Sequence, residues 1–179
     1  VVGGDSVQVI YNDENTASGK RNQKLIAAGR MVSTASIGFT DGAYREYTKG
    51  VFGDNDCFVR VKDLDRDTSA ERDQISVRLS TRYTVKREED PSLGGVELDE
   101  QEEEVKTRDT IRLSLTESEP HSGIFVGSTV PAIVTDTAVV DRGDEQLCTA
   151  SGDHIVLAYD DDLHINGATR RELTCRAQV

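Results

Sequence analysis

Four stretches of the chain place apolar side chains at alternate positions: Cys57, Val59 and Val61; Ile75, Val77 and Leu79; Ile111, Leu113 and Leu115; Ile155, Leu157 and Tyr159. A period of two is the repeat of an extended strand, whose successive side chains point to opposite faces, and it is incompatible with the 3.6-residue repeat of a helix. Arg, Ser and Thr fill many of the intervening positions, so each trio predicts a strand with one face buried and one face wet. The choice of apolar residues agrees. The sequence holds 19 Val, 9 Ile and 16 Thr against 11 Leu and 1 Met, and branching at Cβ suits a pleated sheet better than a helical turn. An all-β, antiparallel fold follows. Asp41-Gly42, between residues 32–40 and 44–48, has the chemistry of a tight hairpin turn. Residues 20–31 are the exception, reading as a short helical turn or a linker.

The strand grammar near the C-terminus is also present near the N-terminus. Gly4-Asp5, Val7, Val9, Tyr11 and the run Asn12-Asp13-Glu14 stand 148 positions ahead of Gly152-Asp153, Ile155, Leu157, Tyr159 and Asp160-Asp161-Asp162, and the same offset relates Gly19 to Gly167. That is an internal repeat. It predicts that residues 1–20 are the closing strand of a preceding unit or an assembly arm, that 21–55 are a linker or hairpin region, and that 56–179 form the main module; the alternative is a single domain whose first and last long strands are similar, as paired neighbours in one sheet. The opening Val1-Val2-Gly3-Gly4-Asp5 has neither the form of a signal peptide nor a translation start, and is expected to begin a mature or excised piece.

Charge narrows the partners. With 33 acidic residues against 21 basic ones the formal charge is -12, which repels phosphate backbones and anionic membranes and argues against a nucleic-acid partner. No window approaches the roughly 18 consecutive apolar residues of a membrane-spanning helix. Residues 86–106 are set apart by Glu97, Asp99, Glu100, Glu102, Glu103 and Glu104, a run whose mutual repulsion favours a solvated excursion at a hairpin tip.

Residues 57–67 (CFVRVKDLDRD), 109–117 (DTIRLSLTE), 122–127 (SGIFVG) and the Gly152-Asp153 strand ending in Tyr159-Asp160-Asp161, in that order, resemble a unit repeated in very large secreted bacterial and archaeal surface proteins. The resemblance covers about 120 residues; the acidic excursion, the three cysteines and residues 20–55 depart from it. It implies an immunoglobulin-like β-sandwich, an extracellular or cell-surface location, and a structural or adhesive role in an S-layer, adhesin or fibre, with homo-oligomeric or neighbouring-repeat contacts. It implies no reaction.

Two acidic loops are candidate calcium sites. Asp63, Asp65 and Asp67 alternate just after a strand, and Asp160, Asp161 and Asp162 close the last trio. Calcium takes six to eight oxygens, so each loop would need help, for the first from Asp54, Asp56, Glu71 or Asp73 and from backbone carbonyls, and for the second from Asn166. The alternative for both is ordinary turn and capping chemistry. Asn12, Asp13, Glu14 and Asn15 occupy the equivalent place in the first copy. In the Ser122 to Gly127 motif, Gly123 and Gly127 read as bends, Phe125 as core, and Glu117 as an acceptor of backbone hydrogen bonds across the turn. His121, His154 and His164 lack zinc spacing, and there is no nucleophile elbow, phosphate loop or dinucleotide fingerprint.

Of three cysteines only two can pair internally. Cys148 with Cys175 is the expected disulfide and Cys57 with Cys175 its main alternative, since secretion favours oxidation. A noncatalytic structural module is the leading functional expectation. A carbohydrate-binding module is the first alternative, with Tyr44, Tyr47, Tyr83 and Tyr159 as its only stacking groups and no Trp to help them; an acidic hydrolase is the second, and needs two convergent carboxylates in a cleft.

Overall fold

A computed structural model describes residues 5–86, 103–135, 145–165 and 169–179. The fold is nearly all antiparallel β, with no α-helix among the described residues. Eight strands form one sheet. In spatial order they are β12 (Thr169–Gln178), β11 (His154–His164), β6 (Gln74–Lys86), β7 (Glu103–Glu117), β8 (Ile124–Thr129), β5 (Cys57–Lys62), β3 (Ser36–Thr40) and β4 (Tyr47–Thr48). The sheet curls until its two ends meet: the amide of Val51 donates to the carbonyl of Gln178, and the amide of Gln178 donates to the carbonyl of Lys49. A short parallel pair, β9 (Ala132–Ile133) with β10 (Cys148–Thr149), adds a patch beside β7.

The alternating trios line the inside of the curl. Cys57, Val59, Val61, Leu79, Leu115, Ile155 and Leu157 are fully enclosed, joined by Phe39, Phe125 and Leu147. Each large apolar side chain taken wholly out of water contributes about 1.5–3 kcal/mol, and this shared interior is what makes eight strands one unit. Beneath the strands, Gly127 is required by a close approach: a Cβ there would meet Leu115 Cδ2 at 2.7 Å and the Ser114 carbonyl at 3.1 Å. The hairpin predicted at Asp41-Gly42 is present as β3 and β4, its turn held by the Asp41 carboxylate, which accepts from the amides of Arg45 and Glu46.

The first strands stand apart. Among the described residues β1 (Ser6–Asn15) pairs only with β2 (Arg21–Arg30), in a two-stranded antiparallel hairpin tied at its base by the Met31 amide donating to the Asp5 carbonyl. The stretch open to helix or linker in the sequence is therefore a strand. Its apolar residues Leu25, Ile26, Ala27 and Ala28 are consecutive and gave no alternation to read, and both faces of the hairpin are in solvent: every residue of β2 is exposed, and in β1 only Asp13 is even half-buried. The acidic excursion grows from the β6–β7 hairpin, whose last described pair is Lys86 with Glu103; residues 87–102, which carry most of the acidic run, lie outside the described residues, as do Asn166 and Gly167.

Candidate functional site

The carboxylates picked out in the sequence are mostly spent on the protein's own backbone. Asp63 directly follows β5 and caps a single 3-10 turn (Leu64–Arg66), one oxygen accepting from the Asp65 amide at 3.0 Å and the other from the Tyr159 hydroxyl at 2.6 Å. Burial pushes its carboxyl upward from the ordinary aspartate range and, together with the acceptor beside it, pushes the Tyr159 hydroxyl up as well. Asp65 accepts from the Ser33 amide at 2.8 Å, and Asp161 accepts from Ala35 at 3.0 Å and Leu163 at 3.1 Å. Asp65 and Asp161 thus clamp residues 33–35, the segment leading from the arm into the body. Asp160 and Asp162 face outward and pair with Arg170 and Arg66 respectively.

Of the six candidate ligands only Asp67 joins a cluster of cation-binding geometry, with Asp73 and Glu117, whose oxygens lie within 4.8 Å of one another. All three carboxylates already hold protein donors. Asp73 takes the Thr68 and Ser69 amides at 2.7 and 3.0 Å, which hold its carboxyl below the usual range. Glu117 takes the Gly123 amide at 2.7 Å, as its place ahead of the turn predicted, and the Asp73 amide at 3.2 Å. Asp67 faces His121 Nδ1 at 3.1 Å. Asp54, by contrast, accepts from the Ile133 amide at 3.0 Å, in the β9–β10 patch.

The four tyrosines have separate surroundings rather than a shared row. Tyr159 is buried, Tyr83 lies under the Arg108 guanidinium at 4.5 Å, Tyr44 meets Phe58 edge to face at 5.5 Å, and Tyr47 lies exposed across Gly38. An open cleft of about 420 Å³ is lined by Arg66, Gln74, Tyr159, Asp160, Asp162 and Arg170 among others. Its outward carboxylates are ion-paired, and Arg170 holds Asp160 below its ordinary range, the opposite of what a general acid needs.

The expected disulfide needs correction. No two of Cys57, Cys148 and Cys175 stand at disulfide-bonding distance. Cys148 belongs to the β9–β10 patch, its amide donating to Asp109, while Cys175 lies on β12 opposite Leu157, against the interior that Cys57 shares. A disulfide requires Cα atoms within about 7 Å, and sequence distance around one strand did not reveal that the two residues occupy different patches. Burial pushes the Cys57 thiol to about 12 and the Cys175 thiol to about 11.

Two features were missed by sequence reading. Arg108 is buried and holds Asp153 through Nε at 2.6 Å and Nη2 at 3.0 Å, with Asp153 also accepting from the Ala150 amide. Arg108 sits where β7 shifts register against Thr81 and Arg82 of β6, and that irregularity leaves no trace in an apolar alternation. The other is the outward exposure of the arm. Val7, Val9, Ile10, Tyr11, Leu25 and Ile26 are each about half or more exposed, the extreme being Val9 at 64%. One face of the hairpin carries Val7, Val9, Tyr11, Leu25, Ala27 and Gly29, aligned in register as Val7 with Gly29, Val9 with Ala27 and Tyr11 with Leu25. Isolated two-stranded hairpins are marginal in water, and an apolar face of this kind is characteristic of a contact surface.

No protein-family model matches the chain, and no curated protein matches it. Among the described residues no helix is long and apolar enough to cross a membrane.

Proposed function

We propose that this protein is a noncatalytic structural or adhesion unit of an extracellular assembly, a surface layer or fibre, with an immunoglobulin-like sandwich as its body and the N-terminal hairpin as its joining element. The exposed apolar hairpin carries this reading: it is ordered as a strand pair, yet its side chains find no interior among the described residues. Carboxylates support it from the other side: the two that line the cleft, Asp160 and Asp162, are ion-paired, and Asp63, Asp65, Asp73, Asp161 and Glu117 accept from the protein's own donors in turns and clamps. The dispersed tyrosines give a stacked sugar ring no platform, which leaves the glycan-binding alternative without a built surface among the described residues.

The calcium element of the reading narrows to Asp67, Asp73 and Glu117. They supply three of the six to eight oxygens a calcium ion takes, and a bound ion would share those oxygens with the amides already there. Its effect would be to stiffen the junction of β5, β6 and the turn before β8, with no role in joining units.

Antibody labelling of intact producing cells tests the location and role. Dense labelling of the unpermeabilised surface, in continuous patches, is the expected result; labelling only after permeabilisation, with the protein in the soluble fraction, would contradict it.

A further inference from the structure

The hairpin β1–β2 and the hairpin β11–β12 are related by the 148-residue offset over both strands, not over the first strand alone. Ser6 pairs with Arg30 as His154 pairs with Gln178, Val9 with Ala27 as Leu157 with Cys175, and Asp13 with Gln23 as Asp161 with Arg171. Even the turn-leading contact recurs, the Asp13 carboxylate accepting from the Asn15 amide at 3.1 Å as Asp161 accepts from Leu163. The likeness is concentrated on one face. Val7, Val9, Tyr11, Asp13, Leu25, Ala27 and Gly29 correspond to Ile155, Leu157, Tyr159, Asp161, Leu173, Cys175 and Ala177, all apolar or identical. On the other face Ile10 and Ala158 are both apolar and Glu14 and Asp162 both acidic, but Lys24, Ile26 and Ala28 correspond to Glu172, Thr174 and Arg176, with no chemistry kept; on the kept face the departure is Gln23, which corresponds to Arg171. In β11–β12 the kept face is the buried one, lying against β6 and the interior. In β1–β2 it faces solvent.

A face that keeps its interior chemistry needs an interior. We infer that residues 6–30 are the closing hairpin for the body of a second unit of this same architecture, one whose own closing hairpin is not in place, and that they sit in it as β11–β12 sit here. This rests on the assembly reading and specifies its partner. The seat is defined residue by residue: a β6-type strand to pair with β1, a buried carboxylate at the place of Asp63 to accept the Tyr11 hydroxyl, and an amide at the place of Ala35 to donate to Asp13. Asp5 stands at the place of Asp153, where an Arg108-like guanidinium would meet it. Charge agrees. Residues 1–31 hold four basic and three acidic residues, a net of +1, so the remainder of this -12 chain carries -13, and a body of the same kind attracts the arm.

The seam is already defined, because residue 153 is the equivalent of residue 5. Placing a second copy of residues 32–153 directly ahead of Ser6 of the full chain gives a two-unit protein with an unbroken period of 148. A Val9→Cys thiol, open to alkylation in the present chain, should react at least about 100-fold more slowly in the two-unit protein, as expected when exposure requires opening of a cooperative core. The heat of unfolding should roughly double. Alkylation at the rate of the present chain, with the added body unfolded, overturns the inference when a parallel protein closing the added body with residues 154–178 in place of 6–30 does fold. Should neither fold, a graft of residues 6–30 over 154–178 in the full chain decides: cooperative unfolding within about 10 °C of the parent supports the inference, and loss of cooperativity overturns it. Failure of these tests alongside surface labelling of cells would remove the seat and leave the assembly reading standing; labelling confined to the cell interior would remove that reading whatever the arm does.

Discussion

Two hairpins with one pattern meet opposite fates in this molecule. β11–β12 is sealed against β6, with Ile155, Leu157 and Asp161 fully enclosed, whereas β1–β2 presents Val7, Val9 and Asp13 in the same register to water or near it. Backbone pairing is the same in both from Ser6 and His154 to Asp13 and Asp161, departing only at the tip, where β11–β12 shifts register to pair His164 with Thr169, so the pairing alone does not set what a hairpin contributes. Burial sets it. A side chain that removes apolar surface from water against neighbours of fixed shape adds kilocalories; the same side chain on an unpartnered strand pair adds almost nothing to the folded state.

The widest separation between the hairpins is expected from truncating equivalent residues. Leu157→Ala should cost about 2–5 kcal/mol in denaturant unfolding, since it opens a cavity in a closed interior, while Val9→Ala should fall within about 0.5 kcal/mol of the parent. A comparable loss at both sites would mean that the arm is packed in this chain. Next in size is the hydroxyl. Tyr159→Phe leaves the buried Asp63 carboxylate short of a donor and should cost about 1–3 kcal/mol by the same measurement, and Tyr11→Phe should be silent.

Thiol chemistry sharpens the contrast further. Cys175 and its counterpart Ala27 share a register position, so an Ala27→Cys thiol should titrate in the ordinary range and be alkylated readily at pH 8, while Cys175 and Cys57 stay unreactive until the protein unfolds. The sign of the pH effect follows. A thiol whose folded value is raised contributes stability that is complete below its ordinary value of 9.0 and lost as the pH climbs through about 11 for Cys175 and about 12 for Cys57, so alkaline unfolding should begin earlier in the parent than in a Cys57→Ala, Cys175→Ala variant. An identical alkaline midpoint for the two would contradict it.

The smallest effect belongs to the outer surface. Arg170 depresses Asp160, whose stabilising contribution is present above the ordinary aspartate value of 3.8 and lost as the pH falls through the depressed value; its arm counterpart, Asn12, has no charge to lose. Asp160→Asn should cost less than about 1 kcal/mol near neutral pH, and less still in high salt, because exposed ion pairs are weak and screened. A larger or salt-independent loss would give Asp160 a structural part beyond its ion pair.

How much of this could be read in the sequence follows from where burial acts. The alternating trios named β5, β6, β7 and β11 and their inward residues because one buried face imprints a period of two. The 148-residue repeat was visible in β1 because Val7, Val9 and Tyr11 keep that period, although they are exposed in this structure. It stopped being visible in β2, since Lys24, Leu25, Ile26, Ala27 and Ala28 carry apolar or long side chains on both faces and no alternation survives. The acidic loops were legible as turns, but which backbone amide each carboxylate meets depends on strands up to 126 positions away, as with Asp161 and Ala35. Buried Arg108 and the separation of Cys148 from Cys175 are likewise products of tertiary placement, with no local pattern to announce them.

Hydrogen exchange at equivalent amides tests the central claim most directly. In the present chain the amides of β1–β2 should exchange as those of an unsupported hairpin, while those of β11–β12 exchange only through global unfolding. In the two-unit protein the amides of Val9 and Leu157 should become similarly protected. If Val9 remains as fast as before while the added body is folded, the arm is not a closing hairpin and the likeness between the two hairpins has another cause.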